Sequence, residues 1–495
     1  MHSPWLVGSC LVLFIYLLMT RFGKSTKSPA LPVVKCSSAA EYKTAIAAKY
    51  SQDPNSLYIL RTQDRDTYVV PNAFMKEYAW LGERKASTAK DLYDRLLGQY
   101  TFVGSLDPTQ PGDRIHVAIR YVKGKLSKNI NQLLGNVYLQ IDHILNKNFG
   151  DGDRGEPQQV KVRDFTSELC LHIYEMAYVG LDLARDPAWL DNCLKYPPVL
   201  IHGGMEILSY SWWLRPLVAP FLPGLRGIRA HRQLTADMLR PLHMARLKAM
   251  EDPDFQGPPD LIQSFIENGG KEKANTIRLA EVIAGINAAG ILTTARVIYE
   301  CLLDLATYRE YIEGLRAEIE EVMAEEGSRD LNQQALARLF KMDSFIKESQ
   351  KFHYNNLLSA ARKTGEPLRL SNGTSIPANS YIAVTGIAQG AIDEKGQVRP
   401  FDGYQWAEKR SKAENPTRYN YVTSTPTDLE FGGGTHACPG RFFASNVVKS
   451  SLCRILTGYD FWFPEGTSRP EDVYNEALEI ETDPHVCLHF QRREK

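Results

Sequence analysis

Charge is absent from Trp5 to Thr20 (WLVGSCLVLFIYLLMT), and Arg21, Lys24 and Lys27 follow directly. An uncharged stretch of this length predicts a membrane-anchoring helix over residues 1–22, slightly short but sufficient for a thin bilayer. A cleaved signal carries its basic residues before the apolar run and a small-x-small site after it; the order here is reversed. The basic flank lies on the cytosolic side by the positive-inside rule, which puts nearly the whole chain in a reducing compartment. Pro29 and Pro32 in SPALPVV then end any helix and make residues 23–34 a stiff basic hinge. The remainder, 35–495, shows no repeat, low-complexity run or linker and reads as a single domain.

Within that domain helical periodicity dominates. Asn275 is placed to cap a helix running to about Leu305, and its VIAGINAAGIL stretch is apolar on every side. At roughly 45 Å such a helix must cross the middle of a large domain. A second helix, YREYIEGLRAEIEEVMAEEG, keeps a charged face and stops at glycine, and a third surrounds MDSFIKESQKF. Strand signals are shorter. Asn372 and Gly373 predict a two-residue hairpin turn between Leu368–Leu370 and Thr374–Ile376, which also accounts for the accidental glycosylation pattern Asn372-Gly373-Thr374. The C-terminal EIETDPHVCLHFQRR alternates as a strand. The fold class predicted is mainly α with small β-sheets.

A second apolar stretch, SWWLRPLVAPFLPGL from Ser211 to Leu225, is broken by Pro216, Pro220 and Pro223 and does not read as a span. Trp212 and Trp213 beside Arg215, Arg226 and Arg229 suit either an interfacial loop at lipid headgroups or a buried loop. Composition narrows the rest. Fifty-eight basic residues balance 58 acidic ones among 495, so nothing electrostatic points to nucleic acid. The eight cysteines are scattered without CxxC pairs, which excludes a disulfide framework and a zinc ribbon.

One cysteine stands apart. Cys438 leaves a glycine-rich loop, FGGGTHACPG, and enters RFFASNVVKSSLCRIL, whose Phe443, Ala444, Val447, Val448, Leu452, Ile455 and Leu456 share a helical face. Loop amides and a helix N-terminus stabilise a thiolate there, as nucleophile or metal ligand. A nucleophile needs a base, and His436 could reach only through an unusual turn. Zinc needs more ligands than the loop offers, whereas haem iron needs one protein sulfur.

This loop resembles the haem-binding signature of the cytochrome P450 family, F-x-x-G-x-x-x-C-x-G, filled by Phe431, Gly434, Cys438 and Gly440. The resemblance extends along nearly the whole chain, and FDGYQW and FPEG with a later RP resemble fungal members especially. It implies a cytochrome P450 fold with an N-terminal transmembrane anchor and haem b held by Cys438 as axial iron ligand. Phe431 would shield the proximal face and His436 would hydrogen-bond a propionate. The family's E-x-x-R signature falls on Glu348-Ser349-Gln350-Lys351, with lysine for arginine, and the later arginine of its P-E-R-F region aligns with Gln405. Lysine keeps charge but loses the planar fork, and glutamine brings no charge. The A/G-G-x-D/E-T-T signature maps to Ala289-Gly290-Ile291-Leu292-Thr293-Thr294, with leucine for the acid. Gly290 and its small neighbours would make room over the iron, and Thr293 would organise the protons of oxygen activation; otherwise Thr293 simply back-bonds to its own helix and Gly290 merely eases packing.

The resemblance thus implies an endoplasmic-reticulum, single-pass monooxygenase with a cytosolic catalytic domain. It would oxidise a small apolar substrate, a terpenoid or meroterpenoid intermediate of fungal secondary metabolism, with O2 and electrons from NADPH through cytochrome P450 reductase and, optionally, cytochrome b5. Ala288, Ala289, Gly290, Thr293, Leu357, Leu358 and a turn near Pro484 to Val486 would line the pocket. Two other readings stand beside it: a haem-thiolate isomerase, dehydratase or cyclase that transfers no oxygen, and a non-catalytic haem-binding scaffold.

Overall fold

The computed structural model describes residues 31–494 except 38–40, scattered positions between 43 and 64, 102–113, 151–154, 355–356, 387–390, 392–397, 472, 475–479 and 482. The predicted anchor and the start of the hinge lie outside the described residues. Seven helices organise the part that matters here: α1 Val162–Val179, α2 Pro187–Leu208, α3 Pro223–Ala249, α4 Thr276–Thr307, α5 Glu310–Glu326, α6 Phe340–Phe352 and α7 Arg441–Gly458.

Local chemistry sets their ends. The Asn275 side chain accepts from Arg278 N at 3.3 Å and starts α4 where the sequence places its cap. Gly327, in the left-handed region at φ 61°, closes α5. Asp186 caps α2 by accepting from Ala188 N at 2.8 Å. Helix α4 packs against α1, α3, α6 and α7, and from Ala295 to Ala306 its side chains are buried all round. That explains why its apolar residues form no stripe: each face meets a different neighbour. Each fully buried leucine or isoleucine there contributes about 1.5–3 kcal/mol. Arg316 of α5 donates to Leu456 O at 2.8 Å and Tyr459 O at 2.9 Å, satisfying carbonyls at the C-terminus of α7.

A six-stranded sheet lies beside the helices in the order Val33–Lys35, Tyr58–Arg61, Asp66–Val70, Tyr381–Thr385, Leu358–Thr364, Ala86–Ser87. A hairpin forms at the predicted place, with Leu368 opposite Ile376, but Leu370 N donates to Thr374 O, so the connection is three residues, Ser371 to Gly373, instead of the two expected, with Gly373 at φ 86°. The C-terminal strand Cys487–Arg492 pairs with Tyr459–Trp462 and Gln158–Lys161. Of the two readings for Trp212 and Trp213, the exposed one holds: they are 64% and 60% exposed between α2 and α3, with Leu217 and Phe221 at 67% and 75%.

Candidate functional site

The loop Phe431–Gly440 is folded by its own glycines. Gly432 and Gly434 have φ of 67° and 74°, the left-handed region that favours glycine. A Cβ at Gly434 would lie 2.0 Å from the Ala79 carbonyl oxygen, while Thr435 N donates to that same carbonyl at 3.1 Å. Cys438 N donates to Phe431 O at 2.7 Å, closing the loop, and Arg441 donates to Cys438 O at 2.8 Å. Phe431 stands edge-on to Tyr421 with ring centres 5.1 Å apart. Gly440 is the N-cap of α7, so Cys438 precedes the helix as the sequence predicts. Burial pushes the Cys438 thiol up, opposed by the Gly440 amide, the Arg441 guanidinium and the Arg441 amide. Those three groups favour the thiolate; burial, the larger effect, favours the thiol until a cation is near.

Between this loop and the strand Leu358–Thr364 is a cavity of about 220 Å³, lined among others by Thr88, Tyr354, Leu358, Arg362, Gly433 and His436. Arg362 is 2% exposed. Its guanidinium donates to Ala361 O at 2.8 Å and Gly433 O at 3.1 Å, and its Nε has no hydrogen-bond partner among the described residues. Burial lowers its affinity for the proton, against Tyr78, Glu83 and Asp91. A buried cation with a free donor at a cavity edge fits an anionic group. Sequence reasoning missed Arg362, which stands beside Lys363 in the mixed strand LSAARKT, where nothing local marks it out. His436 pairs with Glu83 at 3.1 Å, a partner 353 positions away that the propionate expectation did not include.

Across α4, the residues divide. Ala289, Leu292 and Thr293 are exposed in a helix whose other faces are covered, giving an accessible apolar strip with one hydroxyl. Thr293 Oγ1 donates to Ala289 O at 2.7 Å, the back-bond to its own helix. Ala288 is half-buried. Gly290 matches the packing reading: a Cβ there would meet Tyr174 Cε1 at 2.7 Å and Tyr178 Oη at 3.0 Å. Its small size serves close packing of α1, and the neighbouring Thr294 hydroxyl pairs with Tyr174 Oη at 2.6 Å. Leu357 is displaced from its expected role. It is fully buried in a cluster with Cys36, Tyr42, Tyr58, Leu60 and Val69, whereas Leu358 next to it lines the cavity. Leu357 stands just before the strand, and Leu358, its first residue, touches the same cluster while reaching the cavity. Val486 is buried in the main core.

The α6 residues form two separate charge systems. Glu348, fully buried, accepts from Arg399 Nη2 at 2.8 Å, Gln405 Nε2 at 2.9 Å, Trp406 Nε1 at 3.0 Å and Asp402 N at 2.9 Å. Gln405 therefore joins Glu348 as aligned, but the arginine is Arg399, which the sequence reading passed over in the RPF that precedes FDGYQW. Lys351 does not pair with Glu348. One turn on, it points to Asp428 and Glu430, at 2.9 and 2.6 Å.

Comparison with known proteins gives one answer. The model of the family described as "Cytochrome P450" matches residues 199–487. The chain is similar to the cytochrome P450 monooxygenase BOA4 of Botryotinia fuckeliana, at 29% identity over 99% of this chain and 97% of that one. It is 30% identical to BOA7 of the same fungus over 86% and 82%, and 27% identical to the ent-kaurene oxidase P450-4 of Gibberella fujikuroi over 90% and 87%. Its fold matches the crystal structure of the cytochrome P450DA heme domain with a TM-score of 0.68 at 15% identity, covering 94% of this chain and 98% of that one. With a glycine-shaped cysteine loop, a long central helix beside it and a family match over more than half its length, the chain belongs to the cytochrome P450 family.

Proposed function

We propose that this cytochrome P450 is a membrane-attached monooxygenase that oxidises a small apolar substrate, and that the Cys438 sulfur would hold the iron of haem b. The observation that carries the reading is the Cys438 loop, in which Gly434, Phe431 O and the amides after the cysteine shape one sulfur at a helix N-terminus. When bound, haem supplies the redox chemistry that splits O2, placing one atom in the substrate and one in water with two electrons from NADPH through a reductase. Arg362 and, on release from Glu83, His436 would hold its propionates. The amides of Gly440 and Arg441 would hold the sulfur as thiolate, and Phe431 would keep water from it. Thr293 would turn its hydroxyl from Ala289 O to hold a proton at the oxygen site, and Ala288, Ala289, Leu292 and Leu358 would orient the substrate by apolar contact.

A terpenoid substrate is supported by the apolar strip and by the ent-kaurene oxidase among the relatives. Membrane attachment is supported by the exposed Trp212, Trp213, Leu217 and Phe221 with Arg215 and Arg226 nearby, a set suited to the headgroup interface. The endoplasmic reticulum is the membrane that the N-terminal anchor and its basic flank fit. Leu292 in the acid position favours one other reading, an isomerase or cyclase without oxygen transfer. Turnover of a diterpene panel with and without NADPH and O2 separates the two. Product heavier by one oxygen, absent without either reagent, supports the monooxygenase; product of unchanged mass formed without them overturns it.

A further inference from the structure

We propose that Lys351 is a positioning residue that fixes the entrance to the Cys438 loop through Asp428 and Glu430, independently of the Glu348 network. Lys351 and Lys347 are one turn apart on α6, and Asp428 and Glu430 are two apart on the chain just before Phe431. Lys351 Nζ is 2.9 Å from Asp428 Oδ1, 2.6 Å from Glu430 Oε1 and 2.7 Å from Thr427 O. Lys347 Nζ is 3.2 Å from the same Asp428 oxygen. The side chains are 1% exposed for both lysines, 8% for Asp428 and 5% for Glu430. Two cations and two anions thus neutralise one another in the interior, where an unbalanced charge is costly.

The cluster acts on one short segment. Glu430 precedes Phe431, whose carbonyl receives Cys438 N. Asp428 exchanges backbone hydrogen bonds with Thr425 at 3.0 and 3.1 Å and accepts from the Thr425 hydroxyl at 2.5 Å. Tyr354, also near the end of α6, donates to Leu429 O at 2.5 Å. Residues 427–430 are thereby held one after another by Lys347 and Lys351 of α6 and by Tyr354 just beyond it. Trp406 lies between the two systems: its indole N-H serves Glu348, and Lys347 and Lys351 lie 4.8 and 5.8 Å from its ring centre. Lysine in place of arginine at position 351 is thus matched by acidic partners in the loop approach, where a point charge suffices.

The consequence for haem retention rests on the haem reading above; the clamp itself does not, and the test keeps them apart. In the full chain, Lys351→Met leaves two carboxylates against one lysine. Adding Glu430→Gln restores one of each. We expect Lys351→Met to speed haem loss to apomyoglobin about tenfold or more and to diminish the red-shifted reduced carbon monoxide band. Lys351→Met/Glu430→Gln should recover most of both, and Lys351→Arg should behave as the parent. Combined with Glu348→Gln, the effect of Lys351→Met should multiply with only weak coupling, carried by the Trp406 ring that both touch. Hydrogen exchange over 425–431 in haem-free protein should quicken in Lys351→Met alone and slow again in the double variant. No recovery in the double variant, or strong coupling of Lys351 to Glu348, overturns the proposal. A chain that never binds haem but shows the exchange pattern keeps the clamp and removes the haem reading.

Discussion

The Cys438 loop and the middle of α4 carry two signatures of the same family, yet one depends on local chemistry and the other on neighbours. In the loop, Phe431 O takes Cys438 N and Gly440 opens α7 within about ten positions, while Gly434 alone of these signature residues makes way for a distant group, Ala79 O. In α4 the same spacing spreads residues around a helix with partners on all sides. Gly290 and Thr294 turn to Tyr174 and Tyr178 of α1, while Ala289, Leu292 and Thr293 face the other way. A motif on a buried helix names residues but not the faces they serve.

The largest effect that sharpens this contrast is expected at Gly434. Gly434→Ala meets Ala79 O and a left-handed φ together, costing on the order of 3 kcal/mol or more, with loss of haem content. Gly432→Ala meets only the unfavourable φ, since its Cβ would clear His436 O at 3.7 Å, and should cost about 1 kcal/mol. Equal thermal shifts for the two would break the local account.

Next is Glu175, at the α1–α4 interface. It is fully buried and accepts from Trp189 Nε1 at 2.8 Å and from Asn287 of α4. Burial pushes it up to about 7, opposed by Trp189, Cys193 and Asn287. Because the folded state holds this proton more tightly than the unfolded chain, its contribution is complete below the ordinary value of 4.5 and is lost as pH rises through 7. Glu175→Gln should remove that loss, gaining on the order of 3 kcal/mol relative to the parent between pH 5 and pH 8. Unfolding profiles of parent and variant that run parallel across this range would contradict it.

Gly290→Ala should cost about 1–3 kcal/mol through its contact with Tyr174, and Tyr174→Leu should relieve part of it. Lost activity with unchanged melting would instead place Gly290 at the substrate side. Thr293→Val should be smallest in stability, within about 0.5 kcal/mol, since the hydroxyl is exposed and bonded only to its own helix. Its signature should be less product per NADPH consumed, and Leu292→Glu should move that ratio the other way.

What was legible in the sequence follows the same division. The Asn275 cap, the Gly327 stop and the cysteine loop are written in contiguous residues and form as predicted, and the Asn372-Gly373 hairpin forms in place but with a longer connection than expected. Arg399 reaching Glu348, His436 meeting Glu83 and Lys351 meeting Glu430 join distant segments. No periodicity encodes such meetings, and a lysine or glutamine in an arginine's place tells only what was lost. Leu357 and Leu358 pack on the same cluster, and only the three-dimensional structure shows that Leu358 alone of the two reaches the cavity.

The most direct test is the absorption spectrum of the full-length protein, ferric and then reduced under carbon monoxide, beside Cys438→Ser. The account predicts a strongly red-shifted Soret band in the parent that is lost in the variant while the variant stays folded. Haem bound equally well in both with the same band, or no haem in a folded parent, would contradict it.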